Sequence, residues 1–298
     1  MSKQNNVLDG KIAMKVSSVS IIVNIILSAV KLLVGIFASS KALVSDAIHS
    51  ASDVFSTFVV MIGIKISSKE SDREHPYGHE RLECVAAIVL AVVLFITGGG
   101  IGLKGIKDIY TGDYVNYKVP GMLALGAAFF SIVIKEWMYH YTKKYAKEIK
   151  SSALMADAWH HRSDALSSIG SFVGVLGARF GYLVFDSIAS VIICVFIIKA
   201  SIDIFKDSID KMVDKACDEN VTNDMRRVIL SENGVLGVDE IRTRMFGNQI
   251  YVDVEIAVDG NKTLWLSHDI AESVHRRIEK EFPDVKHIMV HVNPFEQE

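Results

Sequence analysis

The sequence predicts a polytopic α-helical membrane protein with six transmembrane helices, followed by a C-terminal α+β cytoplasmic domain in the order α-β-β-α-β. Three observations carry this expectation. Half of the 298 residues are hydrophobic and the mean hydropathy is +0.30, too apolar for an ordinary soluble domain in which 22% of residues are charged. Six stretches, about 15–38, 42–66, 84–108, 119–142, 150–180 and 183–205, reach the roughly 20 mostly apolar residues that a helix needs to cross a bilayer. Beyond residue 205 the pattern turns to short alternating runs separated by polar turns, the mark of a compact two-layer α+β segment.

The first apolar run follows a polar start (SKQNNVLDGK) and is too long for a cleaved signal peptide, so it is read as a retained span. The second and fifth stretches are poor by hydropathy because they carry acids and histidines, and they are read as spans despite that. The SSKA link between the first two spans and the RFGY link between the last two are short enough for antiparallel hairpins. Basic residues set the orientation. Lys3, Lys11 and Lys15, then Lys65, Lys69, Arg73 and Arg81, then Lys143, Lys144, Lys147 and Lys150 fall on one side of alternating spans, which the positive-inside rule makes cytoplasmic. Lys104, Lys107 and Lys118 in the third loop are a weaker contrary signal. Six spans place both termini in the cytoplasm and the protein in the cell membrane. The expected division is residues 1–14 as a cytoplasmic N-terminus, 15–205 as the membrane domain and 206–298 as the cytoplasmic domain.

The net charge of −3 conceals an asymmetry, since from Lys206 onward roughly 12 basic side chains face 19 acidic ones. An acidic tail argues against nucleic acid and suits a cationic ligand. Cys84, Cys194 and Cys217 form no CxxC pair, so neither a disulfide framework nor a zinc finger is indicated. The tail reads as an acidic linker helix (KDSIDKMVDKACDE), a helix (VTNDMRRVILSE), a strand (VDEIRTRMF), a turn at Gly247-Asn248, a strand (QIYVDVEIAV), a helix (SHDIAESVHRRIEKEF) and a strand (HIMVHVNP).

The chemistry is concentrated in a local echo. The second span contains SDAIHSASD and the fifth ADAWHHRSD, both of the form D-A-x-H-x-x-S-D. His49 and Asp53, and likewise His160 and Asp164, are four residues apart and share a helix face. Bringing the two faces together offers two imidazole nitrogens and two carboxylates, the ligand number of a tetrahedral zinc ion. Ionisable groups inside a span are costly and normally face a cavity or a partner. His161 points about 100° away from His160 around the helix. Asp46 and Asp157 lie one turn earlier and suit ion guidance, support of the ligands or helix packing. Lys31 and Asn24 in the first span are read as snorkelling or as bonding to another helix.

These paired motifs, six spans and an α+β tail resemble the cation diffusion facilitator family, and the loop ESDREHPYGHERLE resembles its HP-[YF]-GH-x-[RK]-x-E segment. The resemblance covers nearly the whole chain. It implies a membrane-embedded homodimer that exports a divalent metal, zinc foremost, in exchange for protons, with no prosthetic group and no enzymatic activity. It implies that His49, Asp53, His160 and Asp164 are the transport site. It also implies a second metal site at Asp72, His75 and His79, whose spacing suits a turn with one oxygen and two nitrogen donors. Arg81 falls where the family places a basic residue paired across the interface with an acid, here Asp214. The tail then resembles a metallochaperone-like (ferredoxin-like) domain with metal positions at Asp239, Asp253, His268 and His291. Relatives often have histidine at the first two and aspartate at Asn293, and harder oxygen donors shift preference away from soft metals. His275 and His287 are read as surface residues.

A protonated imidazole has no lone pair for a metal, so the histidines offer an exchange of metal for protons near the imidazole reference pKa of about 6.5. Two readings compete. An intramembrane metalloenzyme needs an open ligand position and a general base, and no HExxH occurs. A metal-gated sensor or channel would lack saturable, proton-coupled flux.

Overall fold

A computed structural model of the protein describes residues 2–37, 41–112, 122–179 and 185–295. The chain forms α1 (Ser2–Phe37), α2 (Lys41–Ser67), α3 (Arg81–Thr111), α4 (Met122–Glu148), α5 (Ser152–Arg179), α6 (Phe185–Met212), α7 (Glu219–Leu230), β1 (Gly237–Phe246), β2 (Gln249–Asp259), α8 (Leu264–Glu281) and β3 (Val285–Phe295). It divides into two compact units, Asp9–Ile209 and Asp210–Glu298 together with Met1–Leu8.

Each of the six predicted stretches falls on one of α1 to α6. The SSKA and RFGY links and Lys118 lie wholly or partly outside the described residues. The shortest of the six helices has 27 residues, about 40 Å at 1.5 Å per residue, against a hydrocarbon core of about 30 Å. Among the described residues, Asp9–Val34 and Arg81–Thr111 are long and apolar enough to cross a membrane on composition alone. The others are diluted by polar side chains, and burial explains where these go.

The helical unit buries many polar side chains beside an apolar core and is apolar outside. Ser17, Ser20, Asn24, Lys31, Ser50, Asp53, Thr57, Lys135, Asp157, His160, His161 and Asp164 are all buried. Ile22, Ile25, Leu33, Phe95, Ile96, Phe129, Phe130, Val133, Ile192, Val195 and Phe196 are exposed. An apolar exterior of this kind is unstable in water and is at rest in lipid. Lys31 does not snorkel: its Nζ donates to Ser50 Oγ of α2 at 2.9 Å. Near-backbone contact helps the helices close on one another, as at Gly63, where a Cβ would collide with Ala86 of α3.

One expectation needs correction. The acidic segment after residue 205 is not a separate linker helix. α6 absorbs it as far as Met212, and the chain then leaves helical geometry at Asp214, whose φ is +63°.

The second unit is a three-stranded sheet in the order β1-β2-β3, with β1 antiparallel and β3 parallel to the central β2. Gly247, at φ +65°, allows the tight turn that pairs Phe246 with Gln249. α7 starts where the Asp218 side chain accepts a hydrogen bond from Asn220 N, and α8 where Thr263 accepts from Leu266 N. Alternation on β2 sends Val252, Val254 and Ile256 toward Met225 and Ile229 of α7 and Val274 and Ile278 of α8. Ile256→Ala is expected to destabilise this unit by about 2–5 kcal/mol, measured as a lowered midpoint in denaturant unfolding of the purified protein followed by circular dichroism.

Candidate metal site

α5 packs against α4, α3 and α2, which brings residues from three distant segments to one buried point. His160 and Asp164 stand on one face of α5, and Asp53 faces them from α2. One ligand atom from each of these three lies within 4.8 Å of the others. His160 Nε2 is 3.6 Å from Asp53 Oδ1, just beyond hydrogen-bond distance, so a buried imidazole nitrogen is aimed at the carboxylates. Two carboxylates and one imidazole in a dry interior form a cation seat. His49 belongs to α2, four residues before Asp53, and its side chain lies outside the described residues, as does that of Asp46.

The residue that sequence reasoning missed is Lys135 of α4. It is 1% exposed, and its Nζ donates to Asp53 Oδ2 at 2.5 Å and to Asp164 Oδ2 at 2.8 Å. The available signal was a lysine in the middle of the fourth apolar run, SIVIKEWM, by the same rule that singled out the aspartates. The neighbouring Glu136 turns elsewhere, accepting from Arg162 Nη1 of α5 at 2.5 Å.

His161, read as facing away from the site, is fully buried with Nε2 3.6 Å from Asp157 Oδ2. Thr57 Oγ1 of α2 donates to Asp157 Oδ1 at 3.0 Å, so Asp157 joins α2 to α5 beside the cluster.

Asp72, His75 and His79 also converge, with one ligand atom from each within 4.8 Å. Asp72 shapes the turn, its Oδ1 accepting from the backbone amides of Glu74 at 3.1 Å and His75 at 2.8 Å. His75 Nδ1 lies 3.4 Å from Asp72 Oδ1, and His79 Nε2 lies 3.6 Å from Asp72 Oδ2. The hydrogen bond from Lys69 Nζ, then that from the His75 amide, hold the Asp72 carboxyl well below the usual carboxylate range. His79 turns Nε2 toward Asp72, and its Nδ1, on the other side of the ring, is buried without a hydrogen-bond partner among the described residues.

The four tail positions do not converge within one chain. Asp253 of β2 and His291 of β3 are exposed on the sheet face opposite the helices, whereas His268 is exposed on α8 in the other layer. Sheet alternation separates them: Val252 and Val254 go to the core, so Asp253 must point away. Asn293 Nδ2 donates to Asp239 Oδ2 at 2.8 Å and Glu255 Oε2 at 3.2 Å. Its amide thereby serves as a donor where an aspartate could only accept. His275 pairs with Glu279 at 3.1 Å one turn along α8, as a surface residue would. Arg81 opens α3 and Asp214 follows α6.

An apolar-surfaced helical unit with a buried anionic seat, attached to a small α+β domain, defines a membrane carrier of cations. Residues 17–213 match the family model described as the cation efflux transmembrane domain, and residues 217–295 match that of the cation efflux protein, cytoplasmic domain. The chain therefore belongs to the cation efflux family and is a membrane-embedded divalent-metal efflux transporter. It is 34% identical over 97% of its length to the manganese efflux system protein MneP of Bacillus subtilis, covering 98% of that protein. It is 36% identical over 92% of its length to an uncharacterized transporter of Methanocaldococcus jannaschii, covering 95% of it. The manganese efflux system protein MneS of Bacillus subtilis is 33% identical, with 94% of each chain covered.

The loop geometry generates a prediction with a definite sign. A carboxyl with a lowered pKa stays ionised until the pH falls through that lowered value, so Asp72 presents its negative charge to a cation at neutral and mildly acid pH. Asp72→Asn, which removes that charge, should weaken metal binding there by about tenfold or more, as read in metal titrations at neutral pH.

Proposed function

We propose that this transporter exports Zn2+ from the cytoplasm through His49, Asp53, His160 and Asp164, working as a homodimer and exchanging metal for protons. The observation that carries the reading is the convergence of Asp53, His160 and Asp164 from α2 and α5 at one buried point. Imidazole with carboxylates is a ligand set zinc takes readily, whereas manganese favours sites richer in oxygen. Proton exchange follows from competition for the same lone pairs, since metal and proton cannot share an imidazole nitrogen. Alternating access around a fixed site between helices supplies the vectorial step. Six crossings with both termini in the cytoplasm accord with the six long helices, and the match of the tail to a cytoplasmic domain supports that side for residues 206–298. Asp72, His75 and His79 are proposed as a metal site at the cytoplasmic face. Asp239, Asp253, His268 and His291 are proposed to act only where a second copy brings them together.

Manganese is the second reading, favoured by the names of the MneP and MneS relatives. A metal panel in proteoliposomes with and without a pH gradient separates the two. The zinc reading expects saturable, proton-coupled Zn2+ flux well above that of Mn2+, and the reverse order would replace it. Asp164→Ala is expected to abolish flux while the protein stays folded, and undiminished metal uptake by vesicles carrying that variant would remove the site assignment.

A further inference from the structure

Lys135 places an ammonium where the cargo would sit. Its Nζ bridges the Oδ2 atoms of Asp53 and Asp164, 2.5 and 2.8 Å away, and so links the two carboxylates contributed by α2 and α5. The side chain is among the largest fully buried ones in the protein. Charge arithmetic decides what this allows. Two carboxylates balance one divalent ion, and they are overcompensated if an ammonium stays beside it. A like-charged pair a few ångströms apart in a dry interior is strongly repulsive. The same two oxygens cannot accept from Nζ and present those lone pairs to a metal. With neither cation present, two buried carboxylates would be left with only His160 close by, 3.6 Å from Asp53, which is costly.

We propose that Lys135 is a tethered counter-cation: its ammonium holds the Asp53–Asp164 pair in the metal-free carrier and is displaced when the metal binds. The lysine then sets metal affinity by direct competition, and it lets the unloaded site change access without a bare pair of charges. It is a specificity- and affinity-determining residue rather than a ligand, since an ammonium has no lone pair to donate. This inference rests on the reading of Asp53 and Asp164 as transport ligands.

The test uses full-length protein in proteoliposomes, with Zn2+ as the probe and KM and Vmax of flux read separately. In Lys135→Met the competitor is gone, so KM should fall by about tenfold or more, and Vmax should fall with it because the empty carrier returns slowly. In Lys135→Arg the charge is retained on a planar fork that grips two carboxylates better, so KM should rise. A lysine that merely braces the helices would leave KM unchanged or raised in Lys135→Met, and either result overturns the proposal. If Lys135→Met does not fold, the direction of KM in Lys135→Arg decides alone: a rise supports competition, and an unchanged or lowered value overturns it. Asp53→Asn separates this failure from that of the underlying reading. Lost flux in Asp53→Asn beside an unresponsive Lys135 series removes only the tethered cation, whereas undiminished flux in Asp53→Asn removes the site itself.

Discussion

Two carboxylates held near each other in a low-dielectric interior repel one another and lose their hydration, and groups on α4 and α5 make that tolerable. Asp53 and Asp164 come from helices far apart in the chain, and they stay buried because cationic and donor groups surround them: Lys135 directly, and His160 close by. The constraint accounts for the polar groups buried around the site. Ser50, Thr57 and Asp157 are bound up with neighbouring helices, while many large apolar side chains are turned outward and others, among them Val60, Leu90, Leu94 and Leu154, pack inside. In lipid the outward face costs nothing, and the hydrophobic effect no longer decides which side chains are inside. Packing and electrostatics decide instead.

The loop and the tail obey different rules because they face water. Around Asp72, the carboxylate is kept ionised by a lysine and backbone amides rather than by a buried ion pair. The histidines stand beside it on the same turn, with ring centroids 4.5 Å apart. In the tail, the sheet and two helices share an ordinary apolar core, and the candidate metal residues are on surfaces. Among the described residues the tail positions form no such cluster, whereas Asp53, His160 and Asp164, and likewise Asp72, His75 and His79, come together within the chain.

Much of this was legible beforehand. The six long helices, the α-β-β-α-β order of the tail and the turn at Gly247 follow from the length of apolar runs, the period-two alternation and the need for positive φ, all properties of a few neighbouring residues. His160 and Asp164 were found by their spacing because four residues make one helical turn. The end of the sixth helix was misplaced, since acidic residues are compatible with continued helix and only the turn at Asp214 stops it.

What the sequence by itself determined is therefore the inventory of candidate ligands and the face each presents on its own helix. Only the tertiary structure decided which faces meet. Nothing local in SIVIKEWM says that Lys135 ends between Asp53 and Asp164 while Glu136 turns to Arg162, because that depends on the rotation of α4 against α5. Nor does the tail's pattern say that His268 and His291 belong to opposite layers until α8 is laid across the sheet. Backbone geometry propagates over a turn or a strand pair, and contacts between distant segments are settled by packing the whole.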